Sequence, residues 1–336
     1  SALKFDFVKE NRKHLMKKDA QIAALTAPEA LPATNVSNVG FVANWNTVSS
    51  ANYYEVDVMR IFSTTEDAEY LSLYEDFLLM QEYPSEVTGY LDGLTYRWDW
   101  YLYGGKLADR SIVFPQTSSK GQTQLQTPMM DFSGEGETET VYFSFVAEGA
   151  VGDKIGIGYY YTDDEGEDLA FAFQPVTFEE GTMTKTLYAE LPAVDALGFL
   201  IYTDPTMQNT GDVKLKTFLV SREFAAGTEF MEVYDYRQTA ETSASFFTIE
   251  KDTETEGVSD EFVYGVYALN VDMNKGEILD MSDMSDMILV GATGSVEGVK
   301  ASCEKIFVHD KLHVVLDKPE TVSVYNMAGV LVASYE

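Results

Sequence analysis

Gly40-Phe41-Val42-Ala43-Asn44-Trp45-Asn46 is the stretch on which the fold turns. Phe41, Ala43 and Trp45 alternate with Val42, Asn44 and Asn46, and a period of two puts each set on its own face of a strand. Trp45, which buries about 200 Å² when enclosed, is large enough to seed the core of a small β-sandwich. Working outward, Pro28 and Pro32 punctuate the chain before a strand over Leu31 to Val36, and Val39 to Trp45 forms the next. Ser49 to Asn52 reads as a turn. Tyr54, Val56 and Val58 then alternate with Glu55, Asp57 and Met59 as a half-buried strand.

The whole chain has 336 residues, 45% of them hydrophobic and 13% aromatic, with 21 Tyr and 20 Phe. That length predicts two or three compact units, and the aromatic bias favours pleated strands over helices. The net charge is −32, and six of the 23 basic residues precede Asp19, so the body is more acidic still. Such a surface repels phosphate backbones and anionic lipid, which argues against nucleic acid and against membrane adsorption. Cys303 is the only cysteine, so no disulfide framework or thiolate metal site forms within one chain. No run of about 18 apolar residues offers a membrane span. No signal peptide begins the sequence and Ser1 is not a natural start, so a leader either removed or left off the sequence is expected.

Residues 1–27 are basic around Val8 to Lys18 and predict a short helix or an arm, either a tether or a frayed terminus. Leu31 to Val48 followed by Ala51 to Val58, above all Phe41-x-Ala43-x-Trp45 and then Tyr54-x-Val56-x-Val58, resembles the first three strands of a fibronectin type III-like domain of the kind found in surface proteins of Bacteroidetes-type bacteria. From about Glu66 the pattern changes. Tyr74-Glu75-Asp76-Phe77 leads into an irregular aromatic segment with Trp98, Trp100, Tyr101 and Tyr103. Gly121 to Phe132 reads as a strand entering a turn, and further strands follow at Val141 to Val146, Lys154 to Tyr161, Ala170 to Phe173, Thr182 to Leu191, Leu197 to Tyr202 and Lys214 to Val220, separated by glycine and acidic turns. The Tyr/Phe-Glu-Asp-Phe opening and Thr127-Pro128-Met129-Met130-Asp131 are similar to the jelly-roll modules of secreted bacterial proteins.

Ser245 to Ile249, Phe262 to Leu269 and Ser282 to Val290 resemble the missing fibronectin-like strands, with Tyr264 where such sandwiches carry a corner tyrosine. The expected architecture is therefore all-β, with tandem β-sandwiches: an arm at 1–27, a split fibronectin type III-like sandwich at 28–65 and 222–292, an inserted jelly roll at 66–221, and a small module at 293–336. Within that module Val324-Tyr325-Asn326-x-x-Gly329-x-x-Val332 resembles the C-terminal sorting domain of the type IX secretion system. The resemblances imply an extracellular or outer-membrane-surface location.

Candidate sites are few. Trp98, Trp100, Tyr101 and Tyr103, with Tyr96, could stack on the C–H faces of sugar rings if they line an exposed ribbon, with Arg97 and Asp99 bonding hydroxyls; the same alternation also describes a sandwich core. Asp163, Asp164 and Asp168 lie in an acidic turn that could hold Ca²⁺, although the spacing is not that of an EF-hand and a solvated hairpin tip has the same composition. Asp280, Asp283 and Asp286 recur every third residue and so do not share a strand face. His309 and His313 flank a predicted turn with only Asp310 as a third ligand. No nucleophile elbow, phosphate loop or zinc-protease motif is present. The sequence thus predicts a non-catalytic surface protein for adhesion or protein contact, with a carbohydrate-binding module as the alternative. No cofactor is expected apart from the Ca²⁺ considered above, and the partner is a glycan or a surface protein.

Overall fold

A computed structural model describes residues 16–17, 25–117, 121–133, 136–163, 168–249 and 255–291, and the strands at 306–309, 311–314, 322–325 and 331–335. These residues form β-strands and one 3-10 turn, Pro205–Met207, with no α-helix among them. The chain divides into two compact units. Among the described residues, one is Thr64–Ala226 with Phe247–Gly257; the other takes those up to Ser63, then Gly227–Phe246 and those from Val258 onward.

The second unit is built on the opening stretch. Gly40–Trp45 lies between Ser243–Phe247 and Ala30–Ser37 in a three-stranded sheet. A second sheet runs Met16–Lys17, Glu277–Met281, Val258–Asp272, Tyr53–Thr64, Glu229–Thr239. Alternation does what the sequence implies: Phe41, Ala43 and Trp45 share one core with Tyr54, Val56, Val58, Phe246, Phe262, Tyr264 and Val266. Tyr264 does not act as a local corner. Its hydroxyl donates to the Leu31 carbonyl and accepts the Asn44 N–H at 3.2 Å, fastening the two sheets together. Arg60, buried, grips Asp260 with two bonds of 2.9 and 2.8 Å.

Here one strand is new and one expectation fails. Glu229–Thr239 is a long strand paired with Tyr53–Thr64, although its charged, bulged sequence gives no clean alternation. Ser282 to Val290 is not a strand except at Ile288–Leu289. Instead Ser282 and Ser285 each pair main chain and hydroxyl with the neighbouring strand, at Ala268 and Val266.

The first unit is one hydrogen-bonded sheet folded over at Ile112–Phe114, which pairs with both Tyr101–Leu107 and Val213–Phe224. One layer runs Asp168–Ala172, Lys154–Thr162, Leu197–Thr203, Thr123–Gln126, Tyr101–Leu107, Tyr83–Tyr90. The other runs Thr182–Pro192, Thr138–Glu148, Val213–Phe224, Ala68–Glu75. Leu102, Leu125, Ile157 and Phe199 from the first meet Leu73, Phe143, Phe145, Phe218 and Val220 from the second in a common core. The unit begins and ends in neighbouring strands, with Ala68 opposite Phe224 and the Thr64 hydroxyl bonded to the Ala225 carbonyl at 2.6 Å.

Of the arm expected at 1–27, only residues 16–17 and 25–27 are described. Of the module at 293–336, two hairpins are described, one of them pairing Phe307 with His313. Cys303, Asp310, Asn326 and Gly329 lie outside the described residues.

Candidate functional site

Cross-strand register fixes which side chains share a sheet face. In the first unit Gly158 lies opposite Leu200, Leu200 opposite Gln126, Gln126 opposite Tyr101, and Tyr101 opposite Tyr90. The adjacent row is Gly156, Tyr202, Gln124, Tyr103. A third row sets Tyr160 opposite Gly198. The alternate residues Ile157, Ile201, Leu125 and Leu102 fill the core, so these rows form the layer's outer face.

Glycines shape it. A Cβ at Gly198 would run into the Tyr160 ring, and one at Gly156 into the Tyr202 ring. Each tyrosine therefore lies down over its bare neighbour instead of standing off the sheet. Tyr202 is buried with Leu200 and Met207, and Tyr160, itself half-buried, packs on that cluster. The Tyr160 hydroxyl donates to the Thr127 carbonyl at 3.2 Å. Burial, and then the charge of Asp99 and the neighbouring Tyr90, hold its ionisation well above the ordinary tyrosine range. Tyr90 meets Tyr101 edge-on at 5.1 Å. Tyr101 is buried beneath it, whereas Tyr90 is 37% and Tyr103 43% exposed. Gln124 is buried in the floor and Gln126 is half-buried beside it.

One rim of this face is the Leu91–Trp100 loop. It is clamped at its base by the Leu91 N–H on the Trp100 carbonyl at 2.8 Å, and inside by the Thr95 hydroxyl on the Arg97 carbonyl at 2.8 Å. Trp100 anchors it, fully buried with its ring edge-on to Phe77 at 5.7 Å and Phe218 at 6.4 Å. Of the two readings open for Trp98 and Trp100, an exposed ribbon or a sandwich core, Trp100 takes the core, and neither lies on a strand. Residues 92–98 make turns and bends, Trp98 is half-buried within them, and Trp100 belongs to the core. Tyr101 and Tyr103 do share a face, and Tyr103 is the exposed one.

The calcium reading falls partly outside the described residues, which include Asp163 and Asp168 but not Asp164. Asp168 accepts a bond from the Thr162 hydroxyl at 2.9 Å, closing the hairpin. No group of three or more His, Cys, Asp or Glu is placed to hold a metal among the described residues.

Tyr90, Tyr160, Gln124 and Gln126 are not singled out by the sequence, whereas Asp99 is, as a group that could bond sugar hydroxyls. The signal for Tyr160 was Gly156-Ile157-Gly158-Tyr159-Tyr160, where alternating glycines leave room on one face, but its meaning depends on which strand lies alongside. The other layer's outer face is different in kind. Tyr142 and Tyr188 pair at 5.5 Å, and their hydroxyls donate to Glu223 and Glu190 amid Thr140, Ser144 and Thr186.

No family model and no curated protein matches the chain. Among solved structures it is similar to the enzymatically active domain of bacteriophage CBA120 tailspike protein 4, at 7% identity over 47% of this chain and 19% of that one, with a TM-score of 0.27. It is similar to the CBM22-1 and GH10 modules of Clostridium thermocellum xylanase 10B in complex with xylohexaose, at 15% identity over 46% of this chain and 29% of that one, TM-score 0.29. A third likeness is to the CBM22-1 xylan-binding domain of Paenibacillus barcinonensis Xyn10C, at 12% identity over 48% of this chain and 98% of that one, TM-score 0.30. At these TM-scores the likenesses decide neither ligand nor activity.

Proposed function

We propose that this is a non-catalytic, extracellular or cell-surface protein that binds glycan through the outer tyrosine face of the Thr64–Ala226 unit. The observation that carries the reading is the arrangement of Tyr90, Tyr103 and Tyr160 over one face with the amides of Gln124 and Gln126 between them. Tyr90 and Tyr160 stand on strands four steps apart, and their side chains lean over the strands between them, Tyr160 to the Thr127 carbonyl and Tyr90 onto Tyr101. Aromatic rings take up the apolar C–H faces of pyranoses, and a few placed polar groups fix their orientation. Tyrosines and amides of this kind stack and hydrogen-bond; the reading needs no turnover.

Affinity electrophoresis of the full chain in gels carrying neutral β-glucan, xylan, mannan or galactan tests it. At least one polysaccharide should retard the protein, and Tyr90→Ala with Tyr103→Ala should abolish the retardation while leaving the melting temperature unchanged. Free migration in all four gels, or retardation that survives both substitutions, contradicts the proposal.

A second reading, contact with a surface protein, is favoured by Glu229–Thr239, where Met231 is 55% and Val233 61% exposed beside the partly exposed Met59 and Ile61. Met231→Lys with Val233→Lys should then reduce attachment to cells without changing glycan retardation. Unchanged attachment removes this reading.

A further inference from the structure

Asp99 holds an uncommon backbone conformation. Its φ is +77°, in the region that favours glycine, yet it carries a side chain. The conformation is held by the fixed surroundings of the Leu91–Trp100 loop. Its N–H donates to the Asp92 carboxylate at 3.0 Å, and the next residue is the buried anchor Trp100, whose carbonyl closes the loop on Leu91. Strained non-glycine positions persist where the surroundings over-determine them and cluster at functional sites. This one stands beside the tyrosine face: its loop leaves from Tyr90 and returns at the paired Tyr101, two residues after Asp99, and is closed by the Leu91 N–H on the Trp100 carbonyl; the Asp99 charge accordingly acts on the Tyr160 hydroxyl. Asp92, the nearest carboxylate in the loop, is engaged by the Asp99 N–H.

We infer that Asp99 is the specificity-determining residue of this face, its carboxylate accepting hydrogen bonds from the hydroxyls of an uncharged glycan and rejecting glycans that carry uronic acids. The inference rests on the glycan-binding reading of the same face. A carboxylate is an acceptor only, so neutral sugars supply the donors it wants. A uronate would set like charges together in a partly desolvated site, and discrimination of that sort needs a repulsive element as well as an attractive one.

Gly and Asn separate the possible roles of the side chain, because both tolerate a positive φ. Isothermal titration would use the full chain, the neutral β-1,4-glucan or β-1,4-mannan oligosaccharide best retained in the gels, and its C6-oxidised uronate counterpart. Asp99→Gly should keep or raise the melting temperature and weaken neutral-glycan binding by about ten- to hundredfold, the range of a lost charge-assisted hydrogen bond. Asp99→Asn should weaken it less and bind the uronate oligosaccharide more tightly than the wild type does. If wild type binds and Tyr103→Ala abolishes binding, yet both Asp99 variants keep wild-type affinity and selectivity, this inference fails and the glycan reading stands. If Asp99→Gly lowers the melting temperature along with binding, the side chain supports the loop and the inference also fails. If the wild type binds no oligosaccharide at all, both fail together.

Discussion

Trp100 and Tyr103 lie three residues apart and meet different surroundings: Trp100 is enclosed by Phe77 and Phe218, while Tyr103 is 43% exposed. Truncating a buried tryptophan removes its transfer free energy and leaves a cavity, so Trp100→Ala should lower stability by about 3–5 kcal/mol in denaturant titration. Tyr103→Ala should stay within about 0.5 kcal/mol. A change of similar size in both would mean the exposure pattern is wrong. Gly198→Ala is a sharper probe, because the new methyl lands on the Tyr160 ring. It should displace that ring and weaken glycan binding, with a stability loss of about 1–3 kcal/mol from overpacking. Wild-type binding would show that the flat ring is not part of the surface. In the other unit, burial and then the Glu55 charge raise Asp57 from its ordinary 3.8 to about 6. A carboxyl whose pKa is raised on folding favours the fold when protonated. Its stabilisation relative to Asp57→Asn is therefore whole below about pH 4 and lost as the pH rises through 6. Melting curves of the two proteins should converge toward low pH and separate above pH 6, with the wild type lower; a gap independent of pH would contradict the shift.

At the scale of elements, the strands the sequence showed clearly are those with one buried face. Phe41, Ala43 and Trp45, or Phe143 and Phe145, alternate because water is on one side only. Glu229–Thr239 was illegible because its outward positions carry Met231 and Val233 and a bulge falls between Val233 and Asp235, so the apolar period breaks. Ser282 to Ile288 misled in the opposite direction. Its Ser-Asp-Met repeat looked like a strand, but the serine hydroxyls take over ladder positions, accepting from Ala268 at 2.8 Å and Val266 at 3.0 Å. Both serines are buried, so Ser282→Ala with Ser285→Ala strands two main-chain N–H groups. Each should cost about 1–3 kcal/mol, read as a lower unfolding midpoint. A double variant as stable as the wild type would mean that the hydroxyls are dispensable. The candidate site was half legible for the same reason: Tyr101 and Tyr103 announce a shared face, but which strand brings Tyr160, Tyr90 and the glutamines beside them is a matter of pairing, and pairing is not written locally.

For the molecule as a whole, Ser63 and Glu229 are paired neighbours in one unit, and the chain between them builds the other. Its two ends run antiparallel from Ala68 and Phe224, so a complete sandwich fits where a turn would otherwise stand. Expressed alone, residues 64–226 should give a cooperative β-sheet melt, a few degrees below the full chain because Phe247, which packs on Tyr96 at 5.1 Å, is missing. A non-cooperative transition would contradict the unit's independence. The central claim is that one face of this unit, and not the other, receives sugar. Hydrogen exchange of the full chain with and without a saturating neutral oligosaccharide tests it most directly. Slowed exchange should map to 83–107, 123–127 and 154–162; slowing confined to 138–148 and 182–192, or to the Glu229–Thr239 strand, would contradict it.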